Sequence, residues 1–131
     1  MWLLKTEPSE FGYDDLERDG KAVWDGVSNP VALRNLKAMK AGERAIVYHT
    51  GDQKAAVGIA TVTKAPYPDP KAGDAKRVVV DLAPVGRLKA PVTLAAIKAM
   101  AVFEESPLVR QGRLSVVPLD AAQWKALEGR K

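Results

Sequence analysis

With 131 residues and no cysteine, the chain has room for one hydrophobic core and carries no disulfide framework, thiolate nucleophile or cysteine-held zinc site. Its hydrophobic fraction of 47% and charged fraction of 27% exclude a disordered or fibrous protein. No apolar run approaches the roughly 20 residues of a membrane-spanning helix, and the N-terminus meets a charge at Lys5, so neither signal peptide nor anchor is read there and a cytoplasmic address is expected. The net charge of +4 is unevenly placed: residues 1–29 hold three basic and seven acidic side chains, and residues 30–131 hold seventeen and nine. Such an imbalance favours a polyanionic partner through phosphate neutralisation, although solvated lysines on an ordinary surface account for it nearly as well.

Residues 1–6 read as a buried strand stopped by Pro8, followed by a turn with a cap at Ser9. Tyr13 to Asp19 is a short helix with Leu16 facing inward and Gly20 ending it. Val23 to Asn29 then places Trp24 on a turn, because Asp25-Gly26 is a tight-turn dipeptide. Asn29-Pro30 supplies an N-cap and a first helical residue for a helix running to about Lys40, with Ala32 or Val31, Leu36 and Met39 on one face and Gly42 as its stop. From Glu43 the period changes to that of strands. Arg44–Thr50 and Ala55–Ala65 form a hairpin about Gly51-Asp52. Residues 66–75 read as an exposed, proline-rich loop, after which strands resume at Arg77–Leu82 and Val85–Val92.

Thr93 caps a helix from Leu94 to Met100, and residues 104–113 are polar and turn-rich. Leu114–Leu119 is the last strand, and Asp120 with Gln123 forms a capping box for a terminal helix that packs Trp124 and Leu127 inward. Five or six strands follow one another without the intervening helices a parallel sheet needs. The expected fold is therefore α+β: a curled, mostly antiparallel sheet with three or four short flanking helices, as one domain over residues 1–131.

Catalytic motifs are scarce. His49 is the one histidine, so a histidine metal cluster is impossible, and no Gly-x-Ser-x-Gly elbow, Walker loop or Gly-x-Gly-x-x-Gly occurs. The carboxylate pairs Asp14-Asp15 and Glu104-Glu105 read as solvated surface. By period two, only one of Tyr48 and His49 should face the core. Binding is better supported. Lys5-Thr6-Glu7-Pro8, Trp24-Asp25-Gly26, Tyr48-His49-Thr50 and Arg110 through Val116 each combine an apolar body with polar groups at a strand end or turn. A curled sheet that gathers them would make a cleft for a planar heterocycle. The plainer reading of Trp24 is a plug in the core beneath its helix; Trp2 and Trp124 are read as core.

These blocks, together with Val57-Gly58-Ile59-Ala60, Tyr67-Pro68-Asp69-Pro70 and Arg113-Leu114-Ser115-Val116, resemble the EVE domain family in order and over essentially the whole chain. The resemblance implies a PUA-like β-barrel with flanking helices and a pocket that takes a modified, flipped-out base of DNA or RNA without chemistry. It implies a base pocket of Lys5, Thr6, Trp24, Tyr48, His49, Arg110, Gln111, Leu114 and Ser115, with Arg34, Lys37 and Arg113 holding the backbone. Thr6 and Thr50 stand where serine is commoner and keep the hydroxyl. Ser28, Pro30-Val31 and Leu33 depart from the family's pattern at the start of the helix after Trp24. No cofactor and no metal are expected, and the chain is expected to be a monomer with an effector enzyme or nuclease as a further partner. Two other readings stay open: a binder of a free nucleotide-like molecule in the same pocket, and a hydrolase or nuclease built on His49.

Overall fold

The computed structural model describes residues 1–27, 29–71 and 77–128. Six strands form one sheet: β1 (Trp2–Thr6), β2 (Ala22–Trp24), β3 (Arg44–His49), β4 (Ala55–Pro68), β5 (Val78–Thr93) and β6 (Val116–Pro118). Their order is β2-β5-β4-β3-β1-β6. Only the β1–β3 pair is parallel; the other neighbours are antiparallel. The β4–β5 ladder shifts register four times and β3–β4 once, between Val47 and Tyr48. Each such irregularity adds bend and twist, so the long strands coil into a half-barrel whose edges are β2 and β6.

The helices α1 (Tyr13–Asp19), α2 (Pro30–Lys37), α3 (Leu94–Lys98), α4 (Pro107–Arg110) and α5 (Ala121–Glu128) flank the sheet, with a 3-10 turn at Ala101–Phe103. Asn29 caps α2 as expected, its side chain accepting from the amides of Val31 and Ala32. Thr93 caps α3, and Asp120 and Gln123 exchange reciprocal bonds at the start of α5. Ser9 caps nothing. Gly12 precedes α1, and its N–H is taken by the Asp15 carboxylate, while the Ser9 hydroxyl turns back to Glu7.

Several local expectations change. Trp24 ends strand β2, paired with Val80, because the turn begins only after it. α2 stops at Lys37; Met39 is still buried, but in the turn beyond. β4 continues through Pro66-Tyr67-Pro68, so the loop is shorter than read, and residues 72–75 of it lie outside the described residues. The polar segment 104–113 contains α4, capped by Ser106. Trp2 is only partly buried and donates its indole N–H to Glu43, whereas Trp124 is buried. Tyr48 and His49 are both buried: Tyr48 lies near Leu94 of α3 and Leu108 of α4, and His49 against the start of α1, so each face of β3 is covered by helices.

The core runs through Leu3, Leu4, Leu36, Ile46, Ile59, Leu82 and Ile97. At its centre Tyr13, fully buried, donates its hydroxyl to the Ile59 carbonyl at 2.7 Å and accepts the Gly86 N–H at 3.0 Å. Its ring lies flat against Gly58, where a Cβ would come within 2.5 Å of it. Among the described residues no helix is long and apolar enough to cross a membrane.

Candidate functional site

β1 and β3 run in parallel register, pairing Lys5 with Tyr48 and Thr6 with His49. Paired residues share a face of the sheet and successive residues alternate. The expected site residues therefore divide. Thr6 and His49 point to one side, Lys5 and Tyr48 to the other.

On the first side lies a cleft of about 260 Å³ lined by Thr6, Phe11, Val23, Trp24 and Asp25. Trp24 is 7% exposed and meets Phe11 edge to face, with ring centroids 6.1 Å apart at 84°. This geometry suits the ring quadrupoles and fixes the indole. Trp24 is part of the hydrophobic core, and its indole N–H has no acceptor among the described residues, none of whose fully buried side-chain nitrogen or oxygen atoms is unpaired. Thr6 donates its hydroxyl to the Phe11 carbonyl at 2.7 Å, which leaves its oxygen lone pairs as acceptors. Asp25 is exposed and adds a carboxylate without an ion-pair partner among the described residues.

His49 supports this cleft from behind. Its Nε2 accepts the Tyr13 backbone N–H at 3.0 Å, and its Nδ1 lies 2.7 Å from Gln53 Oε1. A backbone N–H can only donate, so the proton sits on Nδ1 and is given to Gln53. Both ring nitrogens are thus occupied within the protein. Among the described residues no cluster of three or more His, Asp or Glu is gathered as for a metal ion.

On the second side a cleft of about 190 Å³ includes Lys5, Tyr48, Thr50, Gly51, Lys54 and Lys98 in its lining. Lys5 Nζ donates to the Gly112 carbonyl at 2.9 Å and stands 5.7 Å from the centre of the Tyr48 ring. Arg110, Gln111, Leu114 and Ser115 line neither cleft. Arg110 is held by the Glu104 carbonyl and the Glu105 carboxylate, Gln111 is the exposed cap of α4, Leu114 is buried, and the Ser115 carbonyl accepts the Lys5 N–H. Arg34 and Lys37 are exposed on α2, whose Asn35 amide bonds the Val116 carbonyl, so α2 lies against the segment that follows the exposed Arg113.

A family model described as the EVE domain matches residues 1–130. The chain belongs to the EVE domain family. A Rhodopseudomonas palustris protein of known structure is similar to this EVE chain at 40% identity and a TM-score of 0.92, over 98% of this chain and 90% of that one. Thymocyte nuclear protein 1 of Homo sapiens is 36% identical over 80 residues, which are 52% of this chain and 36% of the human protein. That alignment thus spans about a third of the human relative's length. The crystal structure of the human protein in complex with 5-methylcytosine-containing DNA matches at a TM-score of 0.89 and 27% identity, over 98% of this chain and 95% of that one. An ASCH protein from Zymomonas mobilis, 13% identical, shares the fold at a TM-score of 0.64 over 98% of this chain and 93% of that one. The EVE half-barrel is therefore PUA-like.

Sequence reasoning missed Phe11 in the first cleft and Lys54 and Lys98 in the second, and it singled out the stretch holding Val23 and Asp25 without naming either as a pocket residue. Asp25 sits in a block already singled out, and its exposure next to a tryptophan was the available signal. Phe11 carried none, because its contact with Trp24 bridges two segments that only the fold brings together.

Proposed function

We propose that this EVE chain is a non-catalytic reader of a modified, flipped-out base of DNA or RNA, and that the base enters the cleft between Trp24, Phe11, Thr6 and Asp25. One observation carries the reading: the edge-to-face pair of Trp24 and Phe11 closes a cleft of about 260 Å³ that Thr6 and Asp25 also line, with a hydroxyl and a carboxylate as acceptors. That volume lies below the roughly 300–1,000 Å³ of pockets for drug-sized ligands, which suits a single heterocycle. The human relative's crystallisation with 5-methylcytosine-containing DNA supports the ligand class.

The chemistry favours a base with an exocyclic amine. Asp25 accepts from such a group, as carboxylates accept from cytosine N4, while the Trp24 N–H serves a ring or carbonyl acceptor. Val23 and Phe11 offer an apolar edge to a methyl substituent. Flipping the base costs a few kcal/mol, less at a modified or unpaired site. Stacking on an aromatic returns about 1–3 kcal/mol. Arg34, Lys37 and Arg113 hold the phosphate backbone, which adds affinity without sequence preference. With both nitrogens of His49 engaged, it positions α1 and does not act on the ligand.

The test is a titration of plain and modified oligonucleotides, single- and double-stranded, with the wild type and Trp24→Ala compared by circular dichroism for folding. The reading expects one modified base to bind at least about tenfold tighter, a difference of 1.4 kcal/mol, and Trp24→Ala to remove that preference. Uniform binding across the panel, or an unchanged preference in Trp24→Ala, overturns it. Affinity that is indifferent to salt and confined to free nucleosides would instead support the free-ligand alternative.

A further inference from the structure

We infer that the second cleft, on the opposite side of β1 from Trp24, is a binding site for a phosphate group, built by Lys5, Lys54 and Lys98 around the Tyr48 hydroxyl. It is independent of the base-reading cleft and stands or falls separately.

Charge is the first argument. Three lysines line this cleft against one carboxylate at its margin, that of Glu7, which packs on Gly51. Among the described residues none of the three has an ion pair, as is true of the other described lysines, so what sets this cleft apart is the gathering of three of them. Lys5 is half-buried, with only the neutral Gly112 carbonyl and the Tyr48 ring against its ammonium. A cation drawn out of water is stabilised by a counter-charge, and burial pushes the Lys5 ammonium below its ordinary range. A bound oxyanion would supply that counter-charge to Lys5, with the exposed Lys54 and Lys98 adding attraction from the rim.

Donor geometry is the second. Tyr48 lines the cleft and is 3% exposed, and its hydroxyl has no partner among the described residues, which leaves it free for a ligand there. Burial pushes that phenol up, so it remains a donor at neutral pH. Lysine meets phosphate as a point charge with rotatable donors, and one Lys5 N–H is already fixed by Gly112, which holds the ammonium in place.

Backbone strain is the third. Lys54, at φ 45°, is the one non-glycine residue with positive φ among those described. Its conformation is held by its carbonyl, which accepts the Leu94 N–H at 2.8 Å and ties the start of α3 to this hairpin. The strained residue thereby stands beside Lys98, and the same pair borders an adjoining hollow of about 400 Å³ that also contains Asp52 and Thr93. A phosphate in the cleft thus has an open side through which a longer molecule can leave. Two sources share this chemistry, a nucleic-acid backbone and a free phosphorylated small molecule.

Amide NMR spectra of the full chain, recorded at fixed ionic strength with inorganic phosphate, thymidine 5′-monophosphate and an unmodified thymidine oligonucleotide, decide the matter. The expected result is saturable shifts at Gly51, Lys54 and Gly112, with affinity at least about tenfold weaker in Lys54→Gly/Lys98→Gln. Glycine accepts positive φ, so this variant keeps the turn; Lys98→Glu, on an exposed position of α3, provides a second reading of the same charge dependence. Tight binding of the oligonucleotide assigns the source to a strand backbone, and preference for the monophosphate assigns it to a small molecule. The proposal is overturned if no probe gives saturable shifts, if they spread equally over Lys21 and Lys71, or if the variants bind as the wild type does. Trp24→Ala should leave these shifts in place, which separates this site from the base cleft.

Discussion

Replacing His49 with alanine separates a scaffold histidine from a catalytic one, and the structure sets the size of the effect. The substitution removes the acceptor of the Tyr13 N–H inside a buried contact. An unpaired buried amide costs about 1–3 kcal/mol, and the lost imidazole packing brings the total to about 2–4 kcal/mol. Gln53 loses its partner too, but it is exposed and water replaces it. With an unfolding entropy of roughly 2.1 cal/mol/K per residue, a chain of 131 residues should lose about 7–15 °C in Tm. His49→Gln should recover part of this, because its side-chain oxygen can reach the place of Nε2. Differential scanning calorimetry of the three proteins, with oligonucleotide binding measured well below each Tm, makes the comparison. A His49→Ala protein as stable as the wild type, yet unable to bind, would refute the scaffold assignment and return His49 to direct contact with the ligand.

Asp25→Ala should weaken binding of a base bearing an exocyclic amine by about tenfold, the low end of the 1.5–3 kcal/mol of a charged hydrogen bond because Asp25 is exposed, while binding of the matching base with a carbonyl there holds or improves; equal losses in a fluorescence-anisotropy comparison would remove Asp25 from base selection. Gly58→Ala should destabilise by about 1–3 kcal/mol in urea unfolding, since the new methyl meets a Tyr13 ring that two hydrogen bonds hold still; a neutral result would mean that the ring yields. Tyr67 should ionise late. Its hydrogen bond to Asp81 and burial push the phenol up to about 12, and Tyr13 and Tyr48 are pushed up chiefly by burial, so the tyrosinate absorbance should rise above the ordinary 10. Because the folded state then keeps a proton that the unfolded chain releases, the Tyr67 contribution to stability is complete below pH 10 and declines toward pH 12. Tyr67→Phe should flatten that decline, and identical alkaline stability profiles would contradict it.

The amino-acid sequence by itself determined much that is local. The bounds of α1, the Asn29, Thr93 and Asp120–Gln123 caps and the β3–β4 hairpin rest on interactions between residues a few positions apart, whose propensities are already present in the chain. The order of short blocks was enough to indicate the family, since a match over nearly the whole chain does not require knowing where each block lies in space. It also pointed to Trp24 as a residue to build a site around.

Only the tertiary structure decided how those blocks meet. Lys5 and Thr6 are neighbours in one motif, yet the alternation of a strand sends them to different clefts. Phe11 joins Trp24, and Lys54 joins Lys98, through contacts that no local period encodes. Tyr48 and His49 are both buried because the two faces of β3 are covered by elements distant in sequence. Whether a side chain lines a cavity depends on what closes the other side of it, and in a coiled half-barrel that closure comes from bulges, crossovers and long-range pairing.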